Sequence, residues 1–368
     1  MGVFDINGNN LETIKTSSKN LATVFVSASD SSDEDKNNSD YVCTGVNDQT
    51  IIQNAIDDLP NGGRIILANG TYNIDGFSFE SSSYKVAFGE RGGNQRNISI
   101  EGMNPPIRKM NGKNPTQTAI IYVTSSCLNS LDGFTGRVSV LGYNGSTRQY
   151  PKYTLTCKNL AFLLQDNQHS IICLDAKYYS ALFVENVQCY IYSNGTSTDG
   201  ADYQLPNTDC IAIRGLDGSN FGAGYRISNC FVFGFGVAYD INGEHLIMEQ
   251  CGTRFCDYSY RFGKDRGSGL NLHDLTLINC CHEFSRRYPY FCGGGQAINF
   301  INYNVEEQYS GTFAHLSRAH EDSDGSYYGD ITYTISSSSP WQNISGSFFE
   351  EGSGSRFKAR NLVDAVVE

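Results

Sequence analysis

Four charged residues close four similar short segments of the sequence and could act together in acid–base chemistry. Asp175, Arg214, Asp240 and Arg261 each end a segment in which apolar residues alternate with others. If these segments are neighbouring strands of a parallel stack, the four side chains point outward about 4.8 Å apart and alternate in sign. An arginine beside a carboxylate could then abstract a sugar proton or hold uronate groups. The alternative, which we favour, is an exposed salt-bridge ladder worth about 0–1 kcal/mol per pair.

Tyrosines near strand ends and in loops are candidates for binding a sugar. We expect Tyr178, Tyr203 and Tyr258 to contact a substrate. The C–H faces of sugars pack on aromatic rings, and the phenol hydroxyl adds a hydrogen bond. The alternative is that at least half of such tyrosines pack in the core or in turns.

The twelve cysteines do not form a metal-ligand pattern. The closest spacings are Cys251/Cys256 and Cys280/Cys281, and neither has a matching second pair. We therefore expect no metal and no cofactor. Most of the cysteines are interpreted as buried thiols that behave as small hydrophobic side chains. Free thiols suit a protein that is made in a reducing cytosol.

The composition predicts a β protein. Glycine (38), tyrosine (23) and phenylalanine (21) are abundant, whereas charged residues make up only 18% of the chain. Strands favour aromatic residues and turns favour glycine, whereas helix surfaces usually carry many charged residues. The formal net charge of −12 argues against an electrostatic nucleic-acid binder. No apolar run approaches the roughly 18 residues of a membrane span.

One helix is predicted over residues 48–59, where the apolar residues recur at helical spacing on one face. Asn47 or Asp48 can cap its N-terminus, and the Pro-Asn-Gly-Gly sequence after it ends it. Residues 64–74 then predict two short strands joined by a turn.

The segment DYVCTGVNDQTIIQNAIDDLPNGGRIILANGTYNI, residues 40–74, resembles the N-terminal motif of the pectate-lyase-like superfamily. That superfamily includes pectin-degrading enzymes and many bacteriophage tail-spike and tail-fibre proteins. The resemblance implies an all-β fold, a right-handed single-stranded parallel β-helix with a short N-terminal capping helix. It implies little about chemistry, because such folds include lyases, hydrolases and proteins without activity.

The remaining sequence shows the repeats expected of β-helix coils of about 20–30 residues. Short strands recur, and each is followed by a polar residue that we expect to stack in a ladder at a turn. The predicted ladder consists of Asn186, Asn229, Gln250, Asp274 and Asn302. The predicted apolar row just inside it consists of Val187, Cys230, Cys251 and Leu275.

We expect residues 1–40 to form an N-terminal arm or attachment segment, because they are polar and include a Ser/Asp/Asn-rich run typical of a loop. Residues 41–368 are expected to form the parallel β-helix. Its pattern weakens beyond about residue 305, which predicts an irregular C-terminal part. No linker defines a second domain.

The tripeptide Asn207-Thr208-Asp209 resembles an element of β-helical polygalacturonases in which an aspartate serves in acid–base hydrolysis. This resemblance adds Asp209 to the candidate catalytic residues. The later motifs of that family, an Asp-Asp pair, Gly-His-Gly and Arg-Ile-Lys, are missing at matching positions, so a turn role for Asp209 is favoured. Any chemistry is expected on the face of the four charged residues, beside the loop 193–209.

The predicted function is a phage tail-spike or tail-fibre component that binds a host surface polysaccharide. The prediction leaves open whether the protein also depolymerises that polysaccharide. The N-terminal residues show no secretory signal, which fits a virion protein made in the host cytoplasm and released by lysis. One alternative is a bacterial, extracellular polysaccharide lyase or glycoside hydrolase, and another is a non-catalytic virion structural protein. The expected partners are the polysaccharide, two further copies in a homotrimer, and other tail proteins bound through the N-terminal arm.

Overall fold

The structure is a computed structural model that describes residues between 23 and 361. The described ranges are 23–59, 61–91, 96–107, 117–144, 154–191, 206–207, 209–215, 223–241, 244–262, 275–283, 290–292, 298–306, 314–317, 328–337, 349–351 and 356–361. Within them the chain forms 29 strands and three short helices. The helices are α1 (Asp33–Asn38), α2 (Asp48–Asp57) and α3 (Ser125–Asn129).

The strands follow one another in chain order as short segments. The N-terminal strands are β1 (Thr23–Ser27), β2 (Tyr41–Val42), β3 (Gly63–Leu67), β4 (Gly70–Ile74), β5 (Phe79–Glu80), β6 (Tyr84–Glu90), β7 (Ile98–Gly102), β8 (Ala119–Val123) and β9 (Arg137–Tyr143). The central strands are β10 (Thr154–Lys158), β11 (Leu160–Leu164), β12 (Ile172–Asp175), β13 (Ala181–Glu185), β14 (Gln188–Ile191), β15 (Ile211–Arg214), β16 (Ala223–Ser228), β17 (Phe231–Phe233), β18 (Val237–Ile241), β19 (Glu244–Glu249), β20 (Gly252–Arg254) and β21 (Tyr258–Phe262). The C-terminal strands are β22 (Leu275–Ile278), β23 (Cys281–Glu283), β24 (Tyr290–Cys292), β25 (Ile298–Glu306), β26 (Ala314–Ser317), β27 (Tyr328–Ser337), β28 (Phe349–Glu351) and β29 (Arg356–Asn361).

These strands stack as a parallel β-helix with three faces. A strand pairs in parallel with the equivalent strand of the next coil, as β10 pairs with β13 and β13 with β16. Of the described strands, 19 belong to the sheet of the first and second faces and ten to the sheet of the third face. The first face includes β3, β7, β10, β13, β16, β19, β22 and β25; the second β4, β8, β11, β14, β17 and β20; and the third β6, β9, β12, β15, β18 and β21. The predicted all-β parallel β-helix is confirmed.

Alternation along the first-face strands directs one set of side chains into the core. In β13, Leu182 and Val184 point into the stack and are at most 1% exposed, whereas Phe183 between them is 40% exposed. Equivalent inward side chains of successive coils lie about 4.8 Å apart, so the apolar core runs along the stack. Outward positions are therefore the ones available for function on the first face.

A row of residues in the left-handed conformation turns the chain from the first face to the second. Their φ angles are all between 51° and 55°. Asparagine is tolerated there because its short polar side chain hydrogen-bonds locally. The amide of Asn186 donates to Oδ1 of Asn159 in the preceding coil at 3.0 Å. The row consists of Asn159, Asn186, Asn229, Gln250, Asn279 and Asn302.

The predicted ladder is therefore correct at four positions and wrong at Asp274. Ladder residues follow a first-face strand, and β22 ends at Ile278, so the ladder residue of that coil is Asn279. Asp274 precedes β22 and lies outside the described residues. For the same reason Cys280, which is buried, takes the inner position that was predicted for Leu275.

The predicted capping helix is confirmed as α2. Its apolar residues Ile52, Ala55 and Ile56 are completely buried, and the helix contacts β4 and β6. At its C-terminal end, the guanidinium of Arg96 donates to the carbonyl oxygen of Leu59. None of the helices in the described part of the chain is long and apolar enough to cross a membrane.

The predicted boundary at residue 41 is wrong, because the β-helix already includes β1. This strand pairs in parallel with β3, and its residues Val24 and Val26 are fully buried. The stretch that was predicted as loop also contains α1. Residues 1–22 lie outside the described residues, and an attachment role for them stays a prediction.

The parallel pairing also continues beyond residue 305. Strand β27 pairs with β25, β28 with β26, and β29 with β27. The C-terminal part therefore contains further strands of the same stack, although its sequence pattern is weak.

Candidate functional site

The four predicted charged residues stand in register on the third face. Asp175 pairs with Arg214, Arg214 with Asp240, and Asp240 with Arg261. Arg214 donates from Nε and Nη2 to the two carboxylate oxygens of Asp175 at 3.0 and 2.9 Å. Arg261 holds Asp240 in the same way at 3.0 and 2.8 Å. The predicted alignment of these strands is correct.

The expectation that this row is exposed is wrong. Asp175 and Asp240 are each 1% exposed, and Arg261 is 2% exposed. The four strands are apolar on both sides, since the residues that begin them are also buried and form a second apolar cluster, separate from the main core. It consists of Ile172, Ile211, Val237 and Tyr258.

A fifth charged residue, Arg137 of β9, adds to the surroundings of Asp175. Its Nε lies 3.7 Å from Oδ2 of Asp175. Its guanidinium lies 4.8 Å from the ring centroid of Tyr178, which also packs against Tyr143 at 5.5 Å between centroids. Sequence reasoning missed Arg137, because it opens its strand whereas the other four residues lie at or near the ends of theirs.

The electrostatics of Asp175 favour a fixed carboxylate. Burial raises the pKa of Asp175, but the charges of Arg214 and Arg137 outweigh burial, so its pKa is lowered below the ordinary value. Both carboxylate oxygens are already held by Arg214, and the backbone N–H of Lys177 donates to Oδ1 at 3.1 Å. A general base must reach a substrate proton, and this carboxylate is directed at the protein's own groups. The arrangement suits holding neighbouring coils together, and a catalytic role for the row stays a prediction.

The remaining predicted site residues do not join this row. Asp209 is exposed, and its backbone N–H donates to Oδ1 of Asn207 at 2.9 Å in a turn. Asp209 lies in the turn before β15, whereas Arg214, the register partner of Asp175, is at the far end of that strand, so the length of β15, about 10 Å, separates Asp209 from the row. Inverting glycosidases keep their two carboxyl groups about 6.5–9.5 Å apart. Asp209 therefore has a turn role here.

The three predicted sugar-binding tyrosines have different surroundings. Tyr178 is partly buried against Arg137, so part of its ring is accessible. Tyr258 is only 4% exposed within the apolar cluster of the third face and does not present its ring to a ligand. Tyr203 lies outside the described residues.

An exposed groove on the first face presents side chains that a ligand can reach, which the buried third-face row does not. The groove has a volume of about 420 Å³ and crosses strands β10, β13 and β16. We call it the first-face groove. It is lined mainly by Thr156, Lys158, Phe183, Glu185, Arg226 and Ser228.

An aromatic ring lies at the centre of this groove. Phe183 pairs in register with Thr156 on one side and with Arg226 on the other. Beside this row, Nζ of Lys158 lies 2.9 Å from Oε2 of Glu185, and both side chains are more than one third exposed. The groove thus presents an apolar ring together with accessible hydrogen-bond donors and acceptors, the combination that binds sugars.

The sequence contains a signal for this groove that sequence reasoning did not use. In the strand Ala181–Glu185, alternation places Leu182 and Val184 inward and therefore Phe183 outward. A phenylalanine at an outward position of a strand that ends in a charged residue indicates a contact surface. The prediction concentrated on tyrosines and on the third-face row instead.

The cysteines are structural in the described part of the chain. Eleven are free thiols, ten of them buried, as predicted. Burial raises the pKa of the Cys256 thiol to about 12, so it stays protonated at neutral pH. Among the described residues, no three His, Cys, Asp or Glu side chains are grouped in a way that could hold a metal ion.

Comparison with known proteins identifies no relative: no protein-family model, no curated protein and no solved structure matches the chain. The parallel β-helix and the first-face groove are therefore the features that bear on function.

Proposed function

We propose that the protein is a bacteriophage tail-spike or tail-fibre component that binds a polysaccharide of the host cell surface in the first-face groove. The observation that carries this proposal is the exposed Phe183 ring in a groove that is also lined by the accessible charged side chains of Lys158, Glu185 and Arg226. The resemblance of residues 40–74 to the pectate-lyase-like superfamily supports the same class of ligand.

A polymer fits the groove better than a single sugar, on energetic grounds. Complete burial of a phenylalanine side chain is worth about 1.5–3 kcal/mol. Phe183 is 40% exposed, so covering it with a sugar ring contributes about 1 kcal/mol. Tight binding then needs further contacts on neighbouring coils, which a polymer makes and a monosaccharide does not.

Binding of the full chain to a panel of purified bacterial capsular and cell-wall polysaccharides tests this proposal. We expect saturable binding to at least one of them, measured by surface plasmon resonance with oligosaccharide fragments. Phe183→Ala should weaken it about fivefold, because 1.4 kcal/mol corresponds to tenfold. Phe25→Ala is the matched control, because Phe25 is 43% exposed on the same face in β1 and does not line the groove. Absence of binding to the whole panel, or an equal loss in both variants, contradicts the proposal.

Incubation of the full chain with the same polysaccharides tests whether it cleaves them. Mass spectrometry distinguishes unsaturated oligosaccharides, the product of a lyase, from hydrolysed oligosaccharides, the product of a hydrolase. Intact polysaccharide together with saturable binding indicates a binding protein.

We further propose that the chain is made in the host cytoplasm and assembles into the phage tail as a homotrimer. The buried free thiols support synthesis in a reducing compartment. Two isoleucines on the first face beyond the groove, Ile247 and Ile301, are 44% and 39% exposed and support association. Light scattering should return three times the chain mass of 40.6 kDa. A mass equal to one chain at micromolar concentration contradicts the trimer.

A further inference from the structure

We infer that the ligand of the first-face groove is a neutral polysaccharide whose chain runs along the axis of the β-helix, across successive coils. This inference rests on the proposed polysaccharide-binding function and names the chemical class and the path of the ligand.

Three ion pairs between neighbouring strands lie on the described part of the first face. Nη2 of Arg64 lies 2.8 Å from Oε2 of Glu101, and Nζ of Lys158 lies 2.9 Å from Oε2 of Glu185. The third pair joins Arg226 to Glu249, with 3.4 Å between nitrogen and oxygen. Among the described residues, each of these three cations thus contacts a carboxylate on a neighbouring strand, and the three pairs together carry no net charge.

This matching disfavours acidic sugars in the groove. A uronate or sulfate would lie beside Glu185 or Glu249 and would have to compete with them for Lys158 or Arg226. Like charges at such a distance disfavour binding. The hydroxyl groups of a neutral sugar can instead donate to the carboxylates and accept from the cations without separating the pairs.

The charge of the whole chain acts in the same direction. With 27 Lys and Arg against 39 Asp and Glu, the formal net charge is −12. A field of this sign repels a polyanion before it reaches the surface and leaves a neutral polymer unaffected. Both the local pairing and the overall charge therefore select against acidic polymers.

The path of the polymer follows from the geometry of the face. Along a strand, a ligand leaves the face after five residues, about 16 Å, at the corner formed by the asparagine ladder. Across the strands it meets a new outward side chain about every 4.8 Å. In one such row Ser99, Thr156, Phe183 and Arg226 follow one another in register. The axial path therefore offers more contacts than the path along a strand.

The experiment compares neutral and acidic oligosaccharides of matched length from the panel, with polygalacturonate as the acidic reference. We expect the tightest ligand to be neutral. Its affinity should change less than about twofold between about 50 and about 500 mM salt, over which the screening length falls severalfold. Its affinity should also keep rising with ligand lengths beyond about 16 Å, the span of one strand.

A charge variant sharpens the test. Glu185→Gln removes one carboxylate at nearly constant volume and takes the ion-pair partner from Lys158, so binding of polygalacturonate should increase severalfold, whereas binding of the neutral polysaccharide should not increase, because a carboxylate that accepts from its hydroxyl groups is lost. If the tightest ligand is acidic and is released by salt, the inference that the ligand is neutral is wrong. If the affinity stops rising for ligands longer than some length below about 16 Å, the inference that the polymer runs along the axis is wrong. Either result leaves the proposed polysaccharide binding intact. Absence of binding to every polysaccharide overturns the proposed function itself.

Discussion

The third face and the first face carry the same kinds of ion pair in different environments. On the third face, Asp240 and Arg261 have side chains that are 2% and 3% exposed and share two short hydrogen bonds. On the first face, Arg226 and Glu249 have side chains that are 62% and 38% exposed, and their contact measures 3.4 Å. The first arrangement fixes coils to one another, whereas the second leaves its groups available to a ligand. A charged pair in register can therefore be assigned to ligand binding or to coil packing only once the exposure of its side chains is known.

The difference arises from the residues around each pair. In third-face strands such as Val237–Ile241 nearly all residues are apolar, with Asp240 as the exception in this strand. Their outer side therefore also carries buried side chains. First-face strands such as Thr154–Lys158 alternate apolar and polar residues, which is typical of a strand with one solvated face. Continuous apolar character around Asp175 and Asp240 was a sequence signal for burial.

The largest expected difference between the two faces is in the free energy of unfolding that is lost when an arginine of an ion pair is replaced. Arg261→Met removes both hydrogen bonds that Arg261 donates to the buried Asp240, which should lower the free energy of unfolding by about 3–5 kcal/mol. Arg226→Met, the matched change on the first face, should lower it by about 0–1 kcal/mol. Urea denaturation followed by circular dichroism measures both. Equal losses would show that the two faces do not differ in the way described.

The dependence on pH provides a second, smaller contrast. Because the pKa of Asp175 is lowered in the folded state, its contribution to stability is complete above the ordinary aspartate pKa of about 3.9. It is lost as the pH falls through the folded-state value. Asp175→Asn should therefore cost about 1.5–3 kcal/mol at pH 7. The gap between wild type and variant should narrow below about pH 4.

A first-face carboxylate serves as the control for this pH series. Burial raises the pKa of Glu101, but its hydrogen bonds from Arg64 and Ser99 outweigh burial and lower its pKa overall. The pKa is lowered for Glu101 as it is for Asp175, but solvent screens the pair of Glu101 and Arg64. Glu101→Gln should therefore lower the free energy of unfolding at pH 7 by less than Asp175→Asn does. Thermal unfolding between pH 7 and pH 3 measures both gaps. A gap for Asp175→Asn that stays constant over this range would contradict the lowered pKa.

Much of the fold could be predicted from the sequence because it depends on local and repeating signals. The helical spacing over residues 48–59 predicted α2, and the alternating segments ending near Asp175, Arg214, Asp240 and Arg261 gave the correct register. Exposure could not be predicted in the same way, because it depends on which side chains of other coils cover a face. The ladder error at Asp274 arose because the sequence between β21 and β22 has no repeat by which to align it.

The asparagine ladder lies at the corner between the first and second faces. Substitutions in it should change the free energy of unfolding by an intermediate amount. Asn229 has φ 53°, in the left-handed region, where a side chain with Cβ and no local hydrogen bond costs roughly 1–2 kcal/mol. Asn229→Ala should lower the free energy of unfolding by about that amount, whereas Asn229→Gly should change it by less than about 1 kcal/mol. Equal losses in both variants would show that the side chain, and not the backbone conformation, is what the corner requires.

The smallest expected effect on stability is at the groove itself. Glu185 has an exposed side chain paired with Lys158, and surface changes of this kind usually alter the free energy of unfolding by less than about 0.5 kcal/mol. Glu185→Ala should therefore leave urea denaturation unchanged while it weakens binding of the neutral polysaccharide, because a hydrogen-bonding group is lost. On the third face stability and binding should fall together, since any loss of binding there follows from unfolding. Unfolding at clearly lower urea in Glu185→Ala would mean that this pair, like Asp240 and Arg261, holds coils together instead of serving a ligand.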